Sequence, residues 1–150
     1  MKSNLIYFAL ALITGALIPI QAATNAAFSK SIGNASITGL MVFIVGLFSM
    51  LVYVLVSRVS MPTIQQLSTA PTYGYLGGII VATYVVMITI LAPRIGVGTA
   101  IGFIVTGQII CAVIIDHFGL FNITIRTIDA TRFVGVLLIT VGVYFVMKTK

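Results

Sequence analysis

Long apolar runs separated by short polar stretches make up this chain. Each of five runs is close to the length of about 20 residues that a helix needs to cross a bilayer. The last run, Phe133–Met147, reaches that length only if its helix begins at Ala130 and the side chain of Arg132 extends to the membrane surface. Because a helix satisfies its own backbone polar groups in lipid, the pattern predicts an all-α polytopic membrane protein with a single transmembrane domain over residues 1–150. The predicted helices cover residues 4–25, 36–57, 73–92, 97–115 and 130–147.

The connections between these helices carry the turn-forming residues. We predict a short polar turn over Phe28–Ile37 and a tight hairpin over Pro93–Gly96, which would make the third and fourth helices antiparallel neighbours. The longest connection is Arg58–Thr72, and between its two prolines we favour a plain loop over an interfacial amphipathic turn. Asp129 has the side chain and the position of an N-cap for the fifth helix.

The amino-terminal run allows two interpretations. Met1–Ala23 combines Lys2, an apolar run and small residues near Ala22, as a signal peptide does. We favour a retained membrane span, because the run Asn4–Thr24 is long for a signal peptide and long enough to cross the bilayer.

The composition excludes several function classes. Hydrophobic residues make up 60% of the chain and charged residues 7%, whereas a soluble domain is about 25% charged. The net charge of +6 comes from single Lys and Arg residues at segment ends, which favours contact with lipid headgroups over nucleic-acid binding. With one cysteine, Cys111, and no metal-binding spacing, Ser/His/Asp constellation or phosphate loop, we expect no metal, no cofactor and no enzymatic activity.

Polar side chains inside the first helix form a stripe. Thr14, Gln21 and Asn25 are spaced i, i+7 and i+11, which places them within about 40° of one another around a helix axis. Pro19 cannot donate to the carbonyl of Gly15, so a kink is predicted there. The stripe either bonds to a neighbouring helix or lines a cavity. Both interpretations stay open, and Gln21 is the stronger cavity candidate because it follows the kink.

Two further polar side chains lie in the middle of predicted helices. The phenol of Tyr84 needs a hydrogen-bond partner at that depth, and a structural bond is the commoner outcome. Gln108 lies on a different side of the fourth helix from the small-residue seam of Gly98 and Gly102, and we favour its face for a solute pathway. The candidate pathway residues are all uncharged, which suits a small polar or amphipathic solute. They are Gln21, Asn25, Tyr84 and Gln108.

Charged residues stand at the helix ends. For Arg94 we favour contact with headgroups over gating or the binding of an anionic solute. For Asp116 we favour an ion pair with Arg126 or Arg132, or a cap of the following turn. The alternative is proton coupling by Asp116 beside His117, because histidine titrates near neutral pH.

Glycine spacing predicts where helices pack. Small residues at i and i+4, or at i and i+7, lie on one side of a helix and let another helix approach closely. Helix packing or dimerisation is therefore predicted at Gly74, Gly78, Gly98, Gly102, Gly135 and Gly142.

Positive charges do not select an orientation in the membrane. The counted residues are Lys2, Arg58, Arg126 and Arg132 on the amino-terminal side, and Lys30, Arg94, Lys148 and Lys150 on the other side. The positive-inside rule depends on a difference between the two sides, and each side has four. Either the chain inserts in both orientations and forms an antiparallel homodimer of ten helices, the geometry of inverted-repeat transporters, or it has one fixed orientation that the count does not reveal.

Several short motifs together are typical of one family. They are Pro19-x-Gln21-x-x-x-Asn25, Gly77-Gly78, Ala92-Pro93-Arg94-x-Gly96, Gly107-Gln108, Asp116-His117-Phe118-Gly119-Leu120, and then Arg132, Gly135 and Gly142. On these residues the chain resembles, over essentially its whole length, the five-helix YdcZ-like family of the drug/metabolite transporter (DMT) superfamily. The spacing of the last two glycines also resembles the dimerisation helix of small multidrug resistance proteins. One departure is Thr72-Tyr73, which stands where relatives often carry tryptophan and affects anchoring more than mechanism.

The resemblance implies a short, transporter-like protein of the cell inner membrane, paired into a ten-helix inverted-repeat unit. Our leading hypothesis is a secondary transporter that moves a small polar or amphipathic solute by alternating access, as an antiparallel homodimer of dual topology. The expected partners are a second copy of the chain, membrane lipids and the solute. The alternative is a non-transporting membrane scaffold or accessory protein, since glycine seams and a polar stripe also serve packing alone.

Overall fold

The computed structural model describes residues 2–148, and side chains from Asn4 onward. Lys150, one of the charges counted above, lies outside the described residues. The helices are α1 (Lys2–Ile32), α2 (Ala35–Val56), α3 (Ile64–Thr69), α4 (Leu76–Ile95), α5 (Val97–Phe118) and α6 (Ala130–Met147). All but α3 are long and apolar enough to cross a membrane, and the span that contains α4 begins at Thr72. The predicted all-α, five-span membrane fold is therefore confirmed.

The first connection is much shorter than predicted. The polar turn placed over Phe28–Ile37 is wrong, because α1 continues to Ile32 and α2 begins at Ala35. Nothing between Asn25 and Ile32 stops a helix, and Lys30 in the last turn interacts favourably with the helix dipole. Gly33, with a φ of +74°, ends α1. The side chain of Asn34 then caps α2 by accepting a hydrogen bond from the backbone N–H of Ile37 at 3.0 Å.

Pro19 lies inside α1, and the helix continues through it. The angle of the helix at this proline is untested, so the predicted kink stays a prediction.

The connection after α2 is more ordered than the favoured plain loop. The chain forms α3 between Pro62 and Pro71, so the plain-loop prediction is wrong there. A capping box explains this short helix, because the Thr63 hydroxyl accepts from the N–H of Gln66 at 3.2 Å. In return the Gln66 side chain accepts from the N–H of Thr63 at 2.8 Å. An interfacial location of α3 stays a prediction.

The predicted hairpin over Pro93–Gly96 is also wrong in extent. Residues Pro93 to Ile95 belong to α4, and the break between α4 and α5 is the single residue Gly96 with a φ of +85°. Proline is tolerated in a membrane helix, whereas this positive φ favours glycine. The antiparallel packing of α4 and α5 stays a prediction.

The end of α5 and the start of α6 show how these helices are delimited. α5 extends beyond the predicted end at residue 115 and stops at Gly119, whose φ of +60° is typical of a helix C-terminus. α6 has the predicted bounds, and the predicted N-cap is confirmed because the Asp129 carboxylate accepts from the N–H of Arg132 at 2.7 Å.

The chain divides into two compact units between Ile90 and Leu91. In the first unit α1 packs on α2, and Gly39 lets α2 approach α4, since a Cβ at Gly39 would lie 3.1 Å from Cγ2 of Val86. In the second unit α5 packs on α6, and a Cβ at Gly102 would lie 2.9 Å from Cγ1 of Val143. The single transmembrane domain stays a prediction.

Candidate functional site

Two polar groups of the first unit are buried without a hydrogen-bond partner. Asn25 is only 5% exposed, and its Nδ2 has no partner among the described residues. The hydroxyl of Tyr84 is likewise buried and unpaired within residues 2–148. Leaving such a group unsatisfied costs about 1–3 kcal/mol. These are two of the four pathway residues predicted from the sequence.

Other buried polar groups of the first unit are satisfied within their own helices. Thr38 and Thr89 are 0% and 1% exposed. Thr38 donates to the carbonyl of Asn34 at 3.0 Å, and Thr89 donates to the carbonyl of Val85 at 2.7 Å. A threonine hydroxyl can donate a hydrogen bond to a backbone carbonyl of the preceding helical turn in this way. An asparagine amide or a tyrosine phenol on a helix needs a partner outside its own helix. The buried threonines are therefore satisfied, whereas Asn25 Nδ2 and the Tyr84 hydroxyl are not.

The predicted polar stripe on α1 is not uniform. The Thr14 hydroxyl is exposed and donates to the carbonyl of Leu10 at 2.8 Å, so it is satisfied within the helix. Gln21 is half-buried, and its side chain has no hydrogen bond within the described part of the chain. Gln21 and Asn25 lie one turn apart on the same side of α1, and neither side-chain amide has a hydrogen-bond partner among the described residues.

A groove of about 500 Å³ runs along α1 and α2. Its lining residues are Thr24, Asn25, Phe28, Met41, Val42, Ile44 and Val45. Only the first two, both on α1, are polar, so the lining of the groove is mainly apolar. Sequence reasoning missed this groove, because Phe28 had been placed in a turn and no pattern pairs one side of α1 with one side of α2.

Gln108 lies in the second unit, near the middle of α5. Its side chain is exposed and makes no hydrogen bond with the described residues. A glutamine at this depth is costly in lipid unless it finds a polar partner. The first unit thus contains Gln21, Asn25 and Tyr84, the second contains Gln108, and a pathway lined by all four stays a prediction.

Charged residues at the end of α5, in the connection and at the start of α6 form a bonded cluster. Nη2 of Arg132 lies 2.9 Å from Oδ2 of Asp116, an ion pair in which each side chain is 30% exposed. Nη1 of the same arginine donates to the carbonyl of Arg126 at 2.9 Å. The backbone N–H of Arg126 in turn donates to the carbonyl of Asp116 at 2.9 Å. This agrees with the favoured ion pair for Asp116, and the partner is Arg132.

His117 bonds to the same connection. Its Nδ1 accepts a hydrogen bond from the backbone N–H of Ile128 at 3.1 Å. A ring nitrogen that accepts a hydrogen bond carries no proton, so Nδ1 is used as an acceptor and not as a donor in this arrangement. The connection between α5 and α6 is therefore stabilised by bonds from Asp116, His117 and Arg132. The two candidate coupling residues, Asp116 and His117, thus both have a structural use.

The remaining candidates make few contacts. Arg94 is exposed in the last turn of α4, with no bonded partner among residues 2–148. Of the six packing glycines, Gly102 lies close to another helix, whereas a Cβ at any of the others would meet no atom within 4 Å. Packing or dimerisation at these five stays a prediction. They are Gly74, Gly78, Gly98, Gly135 and Gly142.

Comparison with known protein families gives a match over nearly the whole chain. Residues 6–145 match a family model whose description is "Putative inner membrane exporter, YdcZ". Searches of curated proteins and of solved structures gave no significant match. The family is one of membrane exporters and not of enzymes. Together with the five spanning helices, the match confirms the resemblance described above and a multi-pass location in the inner membrane.

Proposed function

Since the chain belongs to the YdcZ family of inner-membrane proteins, we propose that it exports a small polar or amphipathic solute by alternating access. The family description names an exporter, and the chain is a transporter-like protein with five spanning helices. The observation that carries the proposal is the pair of unpaired buried groups, Asn25 Nδ2 and the Tyr84 hydroxyl. Groups of this kind destabilise a protein that only needs to pack, so a solute that bonds to them gives them a use.

The solute is held by uncharged hydrogen-bonding groups. Gln21, Asn25, Tyr84 and Gln108 all lie in spanning helices and have no side-chain partner among the described residues. A charged solute would need an opposite charge in a medium of low dielectric constant, and none of these four supplies one. The pathway therefore suits neutral solutes.

The transporting unit is an antiparallel homodimer. The equal positive charge on the two sides of the membrane supports dual insertion. Little of each span is buried in the protomer, with 22% for the span that contains α4 and 6% or less for the other four. A second copy would supply polar partners for Gln108, and would build the inverted repeat on which many transporters rely.

Neither carboxylate of the chain carries the coupling proton in this proposal. The chain has two acidic residues, Asp116 and Asp129. The first is paired with Arg132 and the second caps α6. A proton carrier must be free to release and regain its proton during the cycle, which these two bonded carboxylates are not.

Flux measurements test the proposal. Purified protein would be reconstituted in proteoliposomes loaded with fluorescent amphiphiles, the neutral N-phenyl-1-naphthylamine among them, and release would be followed over time. We expect flux by the unmodified chain, and a flux about tenfold lower in Gln21→Ala and in Gln108→Ala. Each substitution removes about one hydrogen bond to the solute, and about 1.4 kcal/mol corresponds to a factor of ten in rate.

The matched control is Gln65→Ala, an exposed amide in α3 outside the spans. It should leave flux unchanged. Absence of flux for every neutral and charged solute tried, by a folded protein, would favour the non-transporting scaffold instead.

A further inference from the structure

The lining of the groove between α1 and α2 includes the hydroxyl of Thr24, whose proton bonds within α1. Thr24 Oγ1 lies 3.0 Å from the carbonyl of Ile20 and 3.0 Å from the carbonyl of Gln21. Its single proton therefore points back into α1. Since a hydroxyl oxygen has two lone pairs and Thr24 lines the groove, it offers an acceptor there.

The next residue offers the opposite group. Asn25 also lines the groove, is 5% exposed, and has an Nδ2 without a partner in the described residues. An amide nitrogen is a donor. The lining of the groove thus includes an acceptor, because the Thr24 hydroxyl bonds its proton within α1, and a buried donor, Asn25 Nδ2, which has no acceptor among the described residues.

The rest of the groove is apolar and uncharged. Phe28 of α1 faces it together with four aliphatic residues of α2, of which Met41 is the most flexible. The volume of about 500 Å³ lies within the range of about 300–1,000 Å³ that is usual for small-molecule sites. A ligand with a charged head would lose hydration here without gaining a counter-ion.

We infer that this groove binds a neutral amphiphilic alcohol, whose hydroxyl donates to Thr24 and accepts from Asn25 once that buried amide turns toward the groove, while its hydrocarbon part lies along α2. One hydroxyl group can satisfy both residues, because it is a donor and an acceptor at once. An ether can accept but not donate, and a quaternary ammonium can do neither. The inference names the solute class of the proposed exporter and rests on that proposed function for the role of the site.

The experiment observes the Asn25 amide directly. The chain has four asparagines, so ¹⁵N-asparagine labelling of protein in lipid nanodiscs gives few side-chain signals in a heteronuclear NMR spectrum. The Asn25 signal is assigned by its loss in Asn25→Leu. The protein is titrated with 1-octanol, with methyl octyl ether and with octyltrimethylammonium. The amides of Asn34 and Asn122 serve as internal controls outside the groove.

A saturable shift of the Asn25 signal is expected with 1-octanol, a weaker one with the ether and none with the ammonium ion. In Thr24→Val, which keeps the shape and removes the acceptor, affinity for octanol should fall roughly fivefold, the effect of about one hydrogen bond. Affinity for the ether should not change. Unchanged shifts of the control amides show that the variant is folded.

Three results would overturn the inference. They are equal shifts of all the amides, equal affinity of octanol and ether for the unmodified chain, and an unchanged octanol affinity in Thr24→Val. The test measures binding and not flux, so it is independent of the proposed function. Saturable octanol binding without any flux would refute export alone, whereas flux without a shift at Asn25 would refute this site alone.

Discussion

Two sets of polar side chains, one in each unit of the chain, are bonded in opposite ways. In the first unit the Nδ2 of Asn25 and the hydroxyl of Tyr84 are neutral, buried and without a partner among the described residues. In the second unit Asp116 and Arg132 are charged, part-exposed and bonded to each other, and His117 bonds to the backbone of the same connection. The charged and titratable residues thus have a structural use, whereas the neutral polar residues have hydrogen-bonding groups that are unsatisfied among the described residues.

This difference shows which polar residues to assign to function. A bonded ion pair at a helix end stabilises a connection, and its presence there needs no ligand. An unpaired buried group lowers the free energy of unfolding by about 1–3 kcal/mol, so its presence is not explained by a contribution to folding. The predictions that follow test whether the cluster that joins α5 to α6 contributes to stability and not to transport, and whether the unpaired groups of the first unit contribute to transport and not to stability.

The largest expected effect is on stability, at Gly119. Its φ is +60°, and a Cβ there would lie 2.5 Å from Cγ1 of Ile125 and 3.3 Å from the carbonyl oxygen of Ile123. Gly119→Val should therefore lower the free energy of unfolding by about 2–4 kcal/mol, measured by denaturant titration in detergent. Gly107→Val is the matched control, because a Cβ at this α5 glycine meets no atom within 4 Å, and its loss should be below about 1 kcal/mol.

At Tyr84 we expect a smaller change in stability than at Gly119, together with a loss of flux. Tyr84→Phe removes a buried hydroxyl that has no partner in the described residues. The free energy of unfolding should stay the same or rise by up to about 1 kcal/mol, because an unsatisfied group is lost. Export in proteoliposomes should fall about tenfold, because a bond to the solute is lost.

Tyr53→Phe is the control for this change, since Tyr53 is an exposed phenol near the end of α2. It should change the free energy of unfolding by no more than about 0.5 kcal/mol, and it should leave export unchanged. A clear loss of stability in Tyr84→Phe without any loss of flux would mean that this hydroxyl has a structural partner, and would remove Tyr84 from the pathway.

Much of the fold follows from the sequence because hydrophobic length is a strong signal. The five spans and the N-cap at Asp129 could be predicted, since bilayer thickness and cap chemistry depend on local sequence. The ends of α1 and α4 could not, because Ala26–Ile32 and Pro93–Ile95 are compatible with both a helix and a turn. There the helix continues until a glycine adopts a positive φ, at Gly33 and Gly96.

The candidate site was predictable by residue type but not by pairing. The pathway candidates were recognisable because amides and phenols are unusual in the middle of apolar helices. The ion pair of Asp116 was narrowed to two arginines, and only the structure identifies Arg132. The groove between α1 and α2 depends on which sides of two helices meet, and hydropathy alone does not determine that.

Next in size is the effect of Asp116→Asn. The substitution keeps an acceptor for Arg132 but removes the charge from an ion pair that is 30% exposed on each side. The free energy of unfolding should therefore fall by only about 1 kcal/mol or less, and flux should be unchanged. In Asp129→Asn the cap of α6 is kept, because asparagine caps a helix as well as aspartate does. Loss of flux in Asp116→Asn at normal stability would make Asp116 a proton carrier and reverse the comparison between the units.

The smallest effect on stability is expected at Arg94, which is exposed and unpaired within residues 2–148. Arg94→Gln should change the free energy of unfolding by less than about 0.5 kcal/mol, yet it leaves three positive residues on one side of the membrane against four on the other. The positive-inside rule then favours the amino terminus in the cytoplasm.

In a Cys111→Ser background with a cysteine added at either terminus, an impermeant thiol reagent applied to intact cells should label both termini of the otherwise unmodified chain. It should label mainly the carboxyl terminus of Arg94→Gln, and mainly the amino terminus of Arg58→Gln, where the imbalance has the opposite sign. Labelling of a single terminus before any arginine is changed would rule out dual insertion, and with it the antiparallel dimer.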